Sequence, residues 1–132
     1  LEDGIMIKTS YFAKFNGDNG VSIATNTPWW FKGEIYPELA PPKWLMVKYN
    51  KKEITDEDYE ALYNYHVLRK LMPLKVYNDL NEKVLLGYKE SGQFCHRRVV
   101  ARWLKKRLGV TIKEIDYPEE GDKDDDEVSR EA

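Results

Sequence analysis

The sequence predicts an α/β domain, a single small three-layer-like unit in which a mixed, mostly parallel sheet is flanked by helices, followed by an acidic tail. Three observations predict it. VLLGY at 84–88 is a nearly continuous apolar run, as expected of a central strand buried on both faces. A loop, a helix-forming stretch and a second β-rich run at 110–115 follow it, which is the order of a βαβ unit. The 132 residues are 42% hydrophobic and 33% charged, enough for one core and a well-solvated surface.

The elements follow in order. Ile5 to Phe12 is short and β-rich, and the turn residues Asn16-Gly17-Asp18-Asn19-Gly20 follow it. Val21 to Thr25 reads as a second strand, so the two runs predict a hairpin. From Asn26 to Pro42, four prolines and Gly33 interrupt any period, and Trp29, Trp30, Phe31 and Tyr36 stand among them. An irregular segment of that length in a small domain is often functional. Trp44 to Tyr49 predicts a short helix. Thr55 with Asp58 resembles a capping box, and Tyr59, Leu62, Tyr63, His66, Val67 and Leu71 then share one helical face. Pro73 ends that helix and starts another over Leu74 to Leu80. The next helix runs from about Cys95 to Leu108. Gly109 stops it, and Lys105, Lys106 and Arg107 complement its negative end. Val110 to Ile115 is the last strand, and the 84–115 unit predicts parallel neighbours joined by a right-handed crossover.

Charge divides the chain. Residues 116–132 hold nine acidic and two basic residues, whereas residues 1–115 hold 14 acidic and 19 basic ones. The domain is therefore expected at 5–115. The tail, with almost no apolar content, is expected to be disordered, either a solvated terminus, a decoy for polyanions or a partner-binding segment. Leu1-Glu2-Asp3-Gly4 reads as a trimmed or appended start, with Met6 the expected first native residue. One cysteine excludes an internal disulfide and a Cys-rich metal site. No apolar run approaches the ~18 residues of a membrane span, and no secretory pattern opens the chain. The expectation is a cytoplasmic chain without membrane contact.

The strongest candidate site is Phe94-Cys95-His96-Arg97-Arg98, after the carboxyl end of a buried strand and at the start of a helix. Open α/β sheets bind ligands there, and a helix N-terminus suits an anion. The same setting favours a thiolate. Three roles stand open: phosphate binding through Arg97 and Arg98, nucleophilic catalysis by Cys95 with His96, or both. Adjacent helical residues point about 100° apart, so one of the pair is expected to face the ligand while the other braces the loop. Ser10 and Tyr11 would approach from the end of the first strand. Trp30, within the Trp29-Trp30-Phe31 cluster, would stack on a base and Lys32 would meet a phosphate; the plainer alternative is an aromatic plug holding the loop to the sheet. The basic helix 97–107 would meet nucleic acid by charge. His66 is either a half-buried histidine bonded to a carbonyl or a partner of the 95–98 site. No glycine-rich phosphate loop, nucleophile elbow, HExxH helix or paired-carboxylate pattern is present, so no cofactor and no metal is expected.

The order of IKTSYFAKF at 7–15, SIATNTPWWFKG at 22–33, YPELAPP at 36–42 and VLLGYKESGQFCHRRVVARWL at 84–104 resembles domain of unknown function 488 over residues 5–115. The resemblance implies a compact α/β domain with the Cys-His-Arg motif at a strand's carboxyl end. It implies no established reaction, only a loose association with nucleotide or nucleic-acid metabolism and with phage or mobile genomes. Family members usually carry Cys where this chain has Gly87, Glu where it has Lys89, and often Arg near Thr25. Either Glu90 substitutes by a register shift, or catalysis is lost and binding remains. Two functions follow. One is the binding or processing of a phosphate-containing ligand, such as a nucleotide or nucleic acid. The other is a non-catalytic module that contacts a protein or sequesters a ligand.

Overall fold

The computed structural model describes residues 6–118; the expected start at 1–4 and the acidic segment from 119 onward lie outside them. Five strands form one sheet: β1 (Lys8–Tyr11), β2 (Gly20–Ser22), β3 (Glu34–Ile35), β4 (Val84–Gly87) and β5 (Lys113–Glu114). Their order is β3-β2-β4-β1-β5, and every pairing is parallel. β4 lies at the centre because Val84, Leu85 and Leu86 are apolar on both faces and need cover on both. Its register runs from Lys8 opposite Val84 to Tyr11 opposite Gly87 on one edge. On the other edge Gly20 faces Val84 and Ser22 faces Leu86.

The alternation of β4 divides the core. Leu85 joins Ile7, Val21 and Ile23 under side chains from the four helices α1 (Lys43–Asn50), α2 (Asp56–His66), α3 (Pro73–Asp79) and α4 (His96–Leu108). Val84 and Leu86 join Phe12 and Ala24 on the opposite face, where Phe15, Phe31 and Ile115 complete the cover. The third layer is thus built mainly from aromatic residues of loops.

Local signals explain the helices. Thr55 caps α2 reciprocally with Asp58: the Thr55 hydroxyl accepts from the Asp58 N–H, and the Asp58 carboxylate accepts from the Thr55 N–H. Such a cap is worth about 1 kcal/mol, whereas burying a large apolar side chain is worth about 1.5–3 kcal/mol. Packing of Tyr59 and Tyr63 therefore holds α2 more strongly than its cap. Pro73 opens α3 at its first position, where a missing N–H costs nothing. Gly109 ends α4 with φ 76, the left-handed conformation that favours glycine.

Three expectations are corrected. The predicted hairpin is absent: β1 and β2 lie on opposite edges of β4, both parallel to it. A tight hairpin turn needs residues at positive φ, and none of residues 16–20 adopts one. Instead residues 12–19 cross back over the sheet, and the Asn19 carbonyl accepts from the Val84 N–H. The sheet is consequently not mixed. Last, β5 is parallel to β4 but not its neighbour, because β1 already fills that edge. The 26–42 segment, expected to be irregular, contains the two-residue β3 and a 3-10 turn at Pro37–Leu39.

Candidate functional site

β4 ends at Gly87, and the chain leaves the sheet through residues 88–94 before α4 begins. Cys95 occupies the cap position with extended backbone, φ −161 and ψ 151. Because Cys95 is not helical, the expected 100° divergence of adjacent residues does not apply. The structure overturns that expectation: Cys95 Sγ lies 3.9 Å from His96 Nδ1. His96 Nε2 lies 2.6 Å from the Ile23 carbonyl, which only accepts, so Nε2 carries the hydrogen. In the neutral ring, Nδ1 then presents its lone pair to the sulfur. Tyr63 packs against the His96 ring at 5.6 Å and holds its orientation.

Arg97 lies beneath this pair, 1% exposed. Its Nε and Nη2 donate to the two Glu114 oxygens at 3.0 and 2.7 Å. Nη2 also donates to the Lys89 carbonyl at 2.7 Å, and Nη1 to Cys95 Sγ at 3.1 Å. Glu114 in turn accepts from Thr9 and Ser91, each at 2.6 Å. Burial raises the Glu114 carboxyl, but these hydrogen bonds and the Arg97 charge hold it below its ordinary range. Burial likewise pushes the Cys95 thiol up. The His96 hydrogen bond and charge, followed by the Arg97 charge, more than reverse this and leave it at about 7. Gly87 sits close beneath the pair: a Cβ there would stand 3.2 Å from Arg97 Nη1 and 3.3 Å from Cys95 Sγ, so a side chain at 87 would have to shift one of them by a few tenths of an ångström.

Cys95 and His96 open onto a cavity of about 220 Å³ between α1, α2 and the loops after β2 and β4. Met46, Val47, Tyr49, Tyr59, Tyr88 and Phe94 supply its apolar wall; Thr25, Asn26, Asn50, Lys43 and Lys89 supply polar groups. The Tyr59 ring edge meets Phe94 at 5.5 Å, and Tyr49 lies 5.0 Å from Tyr59. The arrangement offers an activated sulfur, an adjacent proton acceptor, flat apolar walls and two cations.

The other expected site residues lie elsewhere. Arg97 is committed to Glu114, Lys89 and Cys95, so it braces the sulfur and does not line the cavity. Ser10 Oγ pairs with the Tyr117 hydroxyl at 2.6 Å, and Tyr11 packs edge-on against Tyr117 at 5.8 Å. Arg98 is exposed, with Nη1 3.4 Å from the Gly92 carbonyl. Trp30 and Phe31 pack on Phe12 at 6.2 and 5.4 Å, an aromatic plug, while Trp29 is 90% exposed and Lys32 is also exposed. His66 packs on Trp44 and Tyr65, each at 5.0 Å, away from Cys95. Glu90 is exposed and lines no part of the cavity. Among the described residues no group of three or more His, Cys, Asp or Glu could hold a metal ion, and no helix is long and apolar enough to cross a membrane.

Glu114 is not among the candidate residues drawn from the sequence, although the sequence carries a signal for it. It shares strand parity with Val110 and Ile112, so an acid was directed toward the apolar side, where it needs a partner. The Ile23 carbonyl and Lys43 carried no signal at all. No family model, curated protein or solved structure matches the chain.

Proposed function

We propose that the chain binds a small phosphate-containing ligand of the nucleotide class in the cavity beside Cys95 and processes it through that sulfur. The observation that carries this reading is the Cys95–His96 pair opening onto an aromatic-walled cavity with Lys43 and Lys89 in its lining. Flat apolar walls suit a base, and the two ammonium groups suit a phosphate. Sγ ionises near neutral pH, and Nδ1 of His96 takes the thiol proton. Sγ then attacks phosphorus, the bond from phosphorus to the leaving oxygen breaks, and the proton on His96 passes to that oxygen. Water releases the phosphoryl group from sulfur. A lone buried cysteine fits a reducing compartment, so the proposal includes a cytoplasmic location. Kinship with domain of unknown function 488, including its phage or mobile-element associations, belongs to the same proposal. It rests on the motif at 84–104.

One observation favours the non-catalytic alternative: among the described residues no carboxylate lines the cavity, so none of them offers a second acid–base group beside His96. Gly87 and Lys89 also stand where the resembling family carries Cys and Glu. Amide NMR titration with inorganic phosphate, a mononucleotide and a dinucleotide separates the readings. Saturable shifts at Tyr49, Lys89 and 94–96, with product formation that Cys95→Ser abolishes while binding persists, support processing. Equal shifts without product support sequestration. Nucleotides that leave 88–96 unmoved at millimolar concentration reject both.

A further inference from the structure

A groove of about 630 Å³ lies away from the cavity, on the outer side of the helix layer between α2 and α4. Its lining includes Tyr65, Arg69, Arg102, Trp103, Lys106 and Arg107. The one acid among the lining residues, Glu60, is engaged by Arg102 at 2.6 Å. Arg69 lies 4.1 Å over the Tyr65 ring, which fixes its guanidinium at the groove wall. Among the described residues no hydrogen bond or ion pair engages the side chains of Lys106 and Arg107. The groove is thus a cationic and aromatic surface whose charge exceeds its internal partners.

We propose that this groove is the docking site of the chain's own acidic segment, residues 119–132. That segment holds eight acidic and two basic residues, the complement of the groove's charge. It departs from a fixed point: Tyr117 is held by Ser10 and Tyr11. Fully extended, the 14 residues reach up to about 46 Å. The described domain has a radius of gyration of about 13 Å by its length, so the segment spans the distance to any face. Tethering sets its effective concentration in the millimolar range, and a nucleic acid arriving from solution must displace it. The groove therefore acts as a polyanion receptor that its own tail occupies. This inference is independent of the reading of the Cys95 cavity.

The test uses the full chain and its variant Asp124→Asn/Asp125→Asn/Asp126→Asn. Amide spectra report the groove through the Trp103 indole N–H and the backbone of Tyr65, Arg69 and Lys106. Raising NaCl from about 20 to about 500 mM shortens the screening length several-fold. In the native chain this should shift the groove signals, and the variant at low salt should already show the shifted positions. Lys106→Glu should move the remaining groove signals the same way. A short oligothymidylate should bind the variant about tenfold tighter than the native chain, because the tether, with three of its eight acids neutralised, competes less. Groove signals that ignore neutralisation of the tail overturn the proposal, whether or not the oligonucleotide shifts them. Shifts that depend on protein concentration also overturn it, since they place the tail on a second copy.

Discussion

A thiol only 6% exposed belongs above its ordinary range by burial alone, yet Cys95 ionises at about 7. The difference comes from His96, placed 3.9 Å away by an extended cap residue, and from Arg97 Nη1 at 3.1 Å. Iodoacetamide alkylation of Cys95 should accordingly rise with pH around a midpoint of about 7. His96→Gln keeps a donor for the Ile23 carbonyl but removes the charge; it should move that midpoint up by about one pH unit or more. An unchanged midpoint would show that Arg97 alone sets the thiolate. Linkage fixes a second consequence. The folded thiol ionises below its ordinary 9.0, so ionisation adds stability that is fully present above pH 9 and is lost as pH falls through 7. The full effect is about 2–3 kcal/mol. Urea unfolding of the native chain and Cys95→Ser should show a stability gap that widens from pH 6 to pH 9, and a constant gap would contradict the assignment.

Between elements, the strongest polar tie joins α4 to β5. Arg97 and Glu114 form a two-pronged ion pair with the guanidinium fully buried and the carboxylate side chain 25% exposed. Removing one partner of a buried pair costs about 3–5 kcal/mol because the other charge is stranded. Water can enter beside Glu114, which places Glu114→Ala near about 3 kcal/mol by urea unfolding. The double variant Arg97→Met/Glu114→Leu should lose less, since it strands no charge. Were the double variant the less stable of the two, the clamp would be a net source of stability and not chiefly a means of positioning. Thr55→Ala, which removes only the α2 cap, should cost about 1 kcal/mol. That threefold contrast separates a solvated cap from a buried clamp, and it explains why β5 persists with two paired residues at the sheet edge.

Across the whole molecule, the sequence exposed what is local and concealed what depends on pairing. The α2 cap at Thr55, the Pro73 start, the Gly109 stop and the buried run of β4 each carry a short-range cause, and each stands where expected. Strand order does not: β1 and β2 are adjacent in sequence, but the demand of β4 for cover on both edges separates them. The site divides the same way. Cys95 and His96 were legible from their place after β4, whereas the Glu114 clamp and the Ile23 carbonyl required the tertiary fold. This topology predicts a gradient of local stability. β4 is paired on both sides, so the amides of Leu85 and Leu86 should exchange only through global unfolding. β3 and β5 are both two-residue edge strands, but they are not equivalent. Glu34 and Ile35 of β3 are exposed, and the ion pair from Lys83 to Glu34 at 3.3 Å lies in solvent, where it is worth little. β5 carries Glu114, bound to Arg97, Thr9 and Ser91. Native-state hydrogen exchange should therefore protect Leu86 most and Ile115 next, whose amide donates to the Thr9 carbonyl. Tyr36, bonded to the Ser22 carbonyl, should exchange about 100-fold faster than Leu86. Equal protection at Ile115 and Tyr36 would mean that the buried clamp does not hold the edge. In Glu114→Ala, Ile115 should fall to the level of Tyr36 while Leu86 changes only by the loss in global stability.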